Sequence, residues 1–162
     1  MGRRGAVVTR FGVRLPAGWV RLDPLAGVQV AALPAGDGEP PAAVLTVTPA
    51  QDPDHTDRQR VLDRLRSALP VDLLVVDEGP ARCRHDVEVH RMLTAHTHDG
   101  RGVTTELWLV AGERPAVLCA AVDTARYAEL GPVVQRMLRS FSAGEAGPPR
   151  VSWDRDPGSV RP

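Results

Sequence analysis

Four histidines, His85, His90, His96 and His98, fall on or beside one strand-like stretch, and neutral imidazole is the commonest protein metal ligand. In an extended chain successive side chains alternate faces, so His96 and His98 share a face with His90, and an i,i+2 pair can chelate. His98 falls at a turn, however, and His90 stands roughly 26 Å away along a strand rising about 3.3 Å per residue. No cysteine or acid is placed to complete the three or four convergent ligands that zinc requires. No metal and no cofactor is expected. A small-molecule enzyme or metal-binding protein using strand 85–98 is the alternative reading. Nucleophilic chemistry finds less support, since there is no Gly-x-Ser-x-Gly among the five serines and thus no nucleophile elbow. Dinucleotide and phosphate loops are absent too. The paired carboxylates Asp52 with Asp54, and Asp77 with Glu78, sit at helix starts and strand ends, where capping and solvation account for them. No catalytic residue is assigned, and the chain is read as a non-enzyme.

Surface is what remains. Arg82 to Val122 reads as three consecutive strands, and its register decides which side chains meet. A three-residue loop at Asp99, Gly100 and Arg101 sets Leu93 opposite Leu107, Met92 opposite Trp108 and His90 opposite Val110. A two-residue Asp-Gly turn, the commoner hairpin device, sets Leu93 against Glu106 and Arg91 against Trp108. The longer loop is preferred, and both faces then come out apolar near the middle of the sheet. The turn at Gly112 to Pro115 then places Leu109 beside Leu118 and Trp108 beside Cys119. In that register Met92, Trp108, Val110, Val117 and Cys119 form an apolar face with His90 and Glu106 at its rim. It is a partner surface if left uncovered, and core if a helix lies over it.

The elements that must position this surface follow from periodicity. Phe11 to Leu15 alternates as an edge strand would, Trp19 to Leu22 and Val28 to Leu33 read as strands, and Ala42 to Thr48 returns as another after a Gly/Pro-rich loop. Between Pro49 and Pro70 the period lengthens to about 3.6. Val61, Leu62, Leu65 and Leu69 line one side of that helix, with a capping box at Thr56 and Gln59. Val71 to Glu78 is a strand ended by Gly79-Pro80. Asp123 and Thr124 open a second helix carrying Tyr127, Leu130, Val134, Met137, Leu138 and Phe141, in which Pro132 implies a kink or a fresh start. The fold class is α+β, an α/β/α sandwich with a central antiparallel β-sheet and a helix on each face.

Three segments result: a loose lead at 1–10, a single domain at 11–142 and a disordered tail at 143–162. The tail holds too little apolar matter to offset its ordering entropy, although Trp153 could anchor a partner. The chain carries 20 basic and 20 acidic residues, interspersed, for a net charge of +0. It therefore lacks the concentrated basic patch a nucleic-acid partner requires. Every basic residue is arginine, and lysine, asparagine and isoleucine are absent. A high-GC, actinobacterial type of genome explains this, and no arginine gains a role by its identity alone. Cys83 and Cys119 lie in strands and read as buried thiols in a reducing compartment. No run approaches the roughly 20 apolar residues of a membrane span, and no signal peptide is recognised. A cytoplasmic protein without direct membrane insertion is expected. An uncovered edge strand leaves homodimerisation open.

The opening Phe11-Gly12-Val13-Arg14-Leu15-Pro16-Ala17-Gly18-Trp19, the meander and the closing helix ending in Ser140-Phe141 together resemble the PsbP-like superfamily, which includes the actinobacterial LpqN-like proteins. The resemblance spans roughly residues 9 to 142 and implies a sandwich around an antiparallel sheet. It also implies a non-catalytic role, since members include extrinsic photosystem subunits, lipoproteins and secretion chaperones that shelter hydrophobic segments. The chain lacks the lipobox cysteine of the LpqN-like lipoproteins. The expected function is a binding, adaptor or chaperone-like module, secretion-associated, holding a protein segment or apolar ligand.

Overall fold

A computed structural model describes residues 9–23, 28–50, 53–69, 72–146 and 151–155. Its main element is a seven-stranded antiparallel sheet. In chain order the strands are β2 (Val20–Arg21), β3 (Gln29–Leu33), β4 (Ala43–Pro49), β5 (Leu74–Arg82), β6 (Glu88–His98), β7 (Arg101–Val110) and β8 (Ala116–Asp123), arranged 2-3-4-8-7-6-5. Strand β1 (Thr9–Leu15) belongs to a second, three-stranded sheet, between β9 (Ser142–Ala146) and β10 (Val151–Arg155). Helices α1 (Arg58–Ala68) and α2 (Tyr127–Arg139) complete an α+β architecture.

Register corrects the sequence reading by one residue. Asp99 and Gly100 have φ of 49° and 75°, the pair of positive values that a two-residue type I′ turn demands. His98 therefore pairs with Arg101, Met92 with Leu107, Leu93 with Glu106, Arg91 with Trp108 and His90 with Leu109. On the other side Leu107 meets Cys119, Trp108 meets Leu118 and Leu109 meets Val117. The strand pattern could not decide between the registers because both leave two apolar faces. The Asp-Gly turn chemistry decides it.

Two separate hydrophobic clusters lie on alternate residues of the central strands. One gathers Leu130, Val134, Met137, Leu138 and Phe141 of α2 and its C-terminal end with Trp108, Val110, Leu118, Ala120, Leu45 and Val13. The other gathers Val61, Leu62 and Leu65 of α1 with Met92, Leu107, Leu109, Val117 and Cys119. Neighbours Trp108 and Leu109 thus join different clusters, as the pleat requires, and each fully buried side chain of this size contributes roughly 1.5–3 kcal/mol.

Other boundaries differ for local reasons. Helix α1 is capped by Asp57, whose carboxylate accepts from the Arg60 backbone N–H at 3.0 Å, not by Thr56. A 3-10 turn (Thr124–Arg126), capped by Asp123 onto the Ala125 N–H at 2.9 Å, leads into α2. The helix is continuous through Pro132, which faces solvent. Strand β5 runs on through Gly79-Pro80, permissible because it is an edge strand. Of the tail expected to be disordered, residues 143–146 and 151–155 lie in β9 and β10 and the rest lies outside the described residues, and β1, expected at an edge, is the middle strand of the three. Thr9 and Arg10 of the expected loose lead already belong to β1, and residues 1–8 lie outside the described ones. Backbone pairing, Phe11 with Val151 and with Ala143, orders a segment whose side-chain composition alone would not.

Candidate functional site

The true register divides the residues predicted to form one partner surface. His90, Met92 and Cys119 lie on the α1 side, Glu106 and Trp108 on the α2 side. Met92, Glu106 and Trp108 are wholly buried. Trp153 pairs its backbone with Val13 in β10, and its side chain lies outside the described residues.

Glu106 stands at the centre of a buried polar knot. Arg91 forks onto it, Nε to Oε2 at 2.8 Å and Nη2 to Oε1 at 2.9 Å. Tyr127 donates its hydroxyl to Oε1 and Gln135 its amide at 2.9 Å. The Trp108 indole N–H reaches Oε2 at 3.2 Å. Arg91 also donates through Nη1 to Asp77 at 2.8 Å. Burial alone pushes the Glu106 carboxyl up, but the donors Arg91, Tyr127, Gln135 and Trp108 together outweigh it and hold the group below its ordinary range. Burial, reinforced by the bond to this carboxylate, raises the Tyr127 phenol to about 12. The acid is therefore a fixed anion tying β7 to β6 and α2, not a proton donor poised near neutrality. Gly131 makes room for this, since a Cβ there would stand 3.0 Å from the Tyr127 ring.

A second, exposed constellation joins α1 to the sheet. Arg58 forks onto Glu78, with Nη2 to Oε1 at 2.7 Å, and His90 Nε2 lies 3.1 Å from Glu78 Oε2. The hydrogen bond from Arg58 first, then that from His90, lowers the Glu78 carboxyl to about 2. We expect carbon-detected NMR titration to find Glu78 near that value. In Arg58→Gln it should move up toward the ordinary carboxylate range, and an unchanged titration would show that the fork does not persist in solution.

The histidine strand does not converge. His85 sits in a 3-10 turn with φ of 62°, His90 is engaged by Glu78, and only His96 and His98 are close along β6. Burial, then the neighbouring His98, lowers the His96 pKa, which keeps that ring neutral. Among the described residues no three His, Cys, Asp or Glu side chains are grouped to hold a metal ion. Burial raises both thiols, Cys83 to about 12 and Cys119 to about 11, and both are free.

Among the described residues, two clefts bordering the sheet stand out. The first, about 390 Å³, is bordered by Pro40, Pro41, Val44, Val103 and Ala121, with His98, Asp99 and Arg101 at the hairpin end. Val44 pairs with Ala121 on β8, on the side of Cys119 and Val117. The cleft thus lies on the α1 side, while Leu107 of α1's cluster is four residues away along β7, about 13 Å. Burial alternates accordingly: Ala43, Leu45 and Val47 of β4 and Ala116, Leu118, Ala120 and Val122 of β8 are buried toward α2, and their α1-side neighbours are only half-buried. The second cleft lies between β5 and the end of α2. Sequence reasoning missed Arg91, Tyr127, Gln135 and the Pro40-Pro41 wall. The Asp99-Gly100 signal, taken at face value, would have placed Arg91 and Glu106 on one face.

No family model and no curated protein matches the sequence. Solved structures do. Cyanobacterial PsbP from Synechocystis is similar with a TM-score of 0.56 and 12% identity, over 89% of this chain and 97% of that one. LpqN of Mycobacterium tuberculosis, involved in cell envelope biogenesis, gives 0.53 and 14%, over 86% and 87%. A protein of unknown function from Pseudomonas aeruginosa gives 0.54 and 13%, over 73% and 82%. The chain shares its fold with these proteins. Among the described residues no helix is long and apolar enough to cross a membrane.

Proposed function

We propose that the protein is a non-catalytic binding module, built as an α/β/α sandwich, that holds an apolar ligand or protein segment against the part of the sheet that α1 leaves open. The cleft walled by Pro40, Pro41, Val44, Val103 and Ala121 carries this reading. An apolar concavity with a few polar groups at its mouth, here His98, Asp99 and Arg101, is the usual form of a ligand site. The Glu106 knot supports the same reading from the other side. Its carboxylate is saturated by donors, so the most elaborate polar cluster among the described residues is committed to holding the sheet to α2. A secretion- or envelope-associated partner accords with the fold shared with LpqN, and a cytoplasmic place with the two free cysteines.

The test is titration of the full chain with a neutral naphthylamine fluorophore. Saturable enhancement is expected, weakened at least tenfold in Ala121→Arg while the urea midpoint stays within the range of ordinary surface changes. Absence of saturable binding by the parent chain overturns the reading, and equal binding by Ala121→Arg overturns the site.

A further inference from the structure

Asparagine is absent from the chain, so spontaneous rearrangement of the backbone through a cyclic imide has to start from aspartate. It is fastest where glycine follows, because the missing Cβ lets the glycine nitrogen approach the preceding side chain. Two Asp-Gly pairs occur, Asp37-Gly38 and Asp99-Gly100. As sequence they are equivalent, and all four residues are exposed. A Cβ added at either glycine would meet nothing within 4 Å, so crowding does not separate them either.

The backbone around them does. Asp99 and Gly100 are the central residues of the hairpin turn, with φ of 49° and 75°, and the β6–β7 ladder closes directly on them through the pairs His98–Arg101 and Thr97–Gly102. Bringing the Gly100 nitrogen onto the Asp99 carboxyl means rotating the backbone inside that turn, which unpicks the ladder from its end. Asp37 and Gly38 centre a different turn, closed by the Glu39 N–H donating to the Gly36 carbonyl at 3.3 Å. The pairing of β3 with β4 stops at Leu33 and Ala43, with the Ala42 N–H donating to the Leu33 carbonyl at 2.8 Å. Residues 34–41 thus lie outside every strand, and a segment held by few backbone bonds opens at low cost.

We propose that Asp37-Gly38 is a modification site, where aspartate converts to isoaspartate in the folded protein, while the fold shields the same dipeptide at Asp99-Gly100. The Gly38 nitrogen attacks Cγ of the protonated Asp37 carboxyl. The new C–N bond closes a five-membered succinimide, and the carboxyl hydroxyl leaves as water with the amide proton. Water then adds to the ring carbonyl that came from the main chain, and the bond from that carbon to nitrogen breaks. The chain now runs through Cβ and Cγ, with mass, charge and oxidation state unchanged. Its backbone is one carbon longer, in the loop that carries Pro40 and Pro41 to the wall of the apolar cleft. The modified residue presents a carboxylate on its α-carbon, the group that isoaspartyl methyltransferases esterify.

The test is to hold the full chain at neutral pH and physiological temperature, in buffer and in concentrated guanidinium chloride, and to sample it over weeks. Isoaspartate is counted by methyl transfer from S-adenosylmethionine with an isoaspartyl methyltransferase. Fragment-ion mass spectrometry after cleavage at arginine places it, since Asp37 and Asp99 fall in different fragments. In buffer, isoaspartate at Asp37 should accumulate at least fivefold faster than at Asp99, and in denaturant the two rates should come within twofold of each other. Asp37→Glu, whose imide would need a six-membered ring, should remove most of the methyl-accepting signal from the folded chain, with a urea midpoint within the range of exposed surface changes. Absence of isoaspartate at Asp37 in buffer, over the time in which the denatured sample accumulates it, overturns the proposal. So does a rate at Asp99 within fivefold of that at Asp37 in buffer, which would mean that the hairpin end opens as freely as the 34–41 loop.

Discussion

Replacing Glu106 with alanine is expected to destabilise the protein by about 3–5 kcal/mol, the usual cost of removing one partner from a buried ion pair. The lower half of that range is expected because the Arg91 side chain keeps 19% exposure and can reach water, whereas Glu106 has none. The loss arises from what is left behind. Arg91, Tyr127, Gln135 and Trp108 all aim donors at one carboxylate, and a buried donor without an acceptor costs about 1–3 kcal/mol. Glu106→Gln should cost less than alanine, since the amide keeps one acceptor, but it turns an NH₂ toward a guanidinium. Urea unfolding gives both values. The pH dependence isolates the charge. The folded pKa of Glu106 lies below its ordinary value of 4.5, so its stabilisation is complete above that value and is lost as pH falls through the lower folded one. Glu78 titrates in the same acid region, so the quantity to read is the parent curve minus that of Glu106→Gln. That difference should be flat above about pH 5 and shrink below it. A flat difference throughout would mean that Glu106 is not ionised in the folded protein.

How far the sequence revealed this arrangement depends on which interactions are local. Periodicity located α1 through Val61, Leu62 and Leu65, α2 through Val134, Met137 and Leu138, and the three strands of the meander, because burial on one side imprints the period directly. Register is different. A one-residue slip moves every side chain to the other face, and the runs Met92-Leu93 and Leu107-Trp108-Leu109 are apolar at consecutive positions, so hydrophobicity is blind to the slip. Only Asp99-Gly100 carried the information. The two-residue turn sets Arg91 against Trp108, a pairing that Glu106 accommodates by accepting from both. The predicted surface of His90, Met92, Glu106, Trp108 and Cys119 divided between two faces for that reason and because the β7–β8 pairing also differs by one residue, which sets Leu107 rather than Trp108 opposite Cys119. The strands β9 and β10 were illegible for another reason: their order comes from backbone pairing with β1, which leaves no mark on composition. The Pro40-Pro41 wall is likewise a product of tertiary closure between residues far apart in the chain.

Trp108→Ala should cost about 3–5 kcal/mol, the range for truncating a large buried aromatic side chain, because the ring is fully buried among Leu118, Val134, Met137 and Phe141 on the α2 side. Its coupling to two other substitutions says more than its size. Trp108 and Glu106 share a hydrogen bond, and the cavity left by the indole gives Arg91 and Gln135 room to shift. The double variant Trp108→Ala, Glu106→Gln should therefore depart from additivity by 0.5 kcal/mol or more. Val61 lies in the other cluster, under α1, and shares no partner with Trp108. Val61→Ala combined with Trp108→Ala should add within about 0.5 kcal/mol. The two cycles use the same reference residue on β7, so they ask whether the sheet is a wall between two independently packed layers. Strong coupling across it, with none inside the Glu106 knot, would mean that α1 and α2 share one core and that the open half-face beside α1 does not exist as a separate surface.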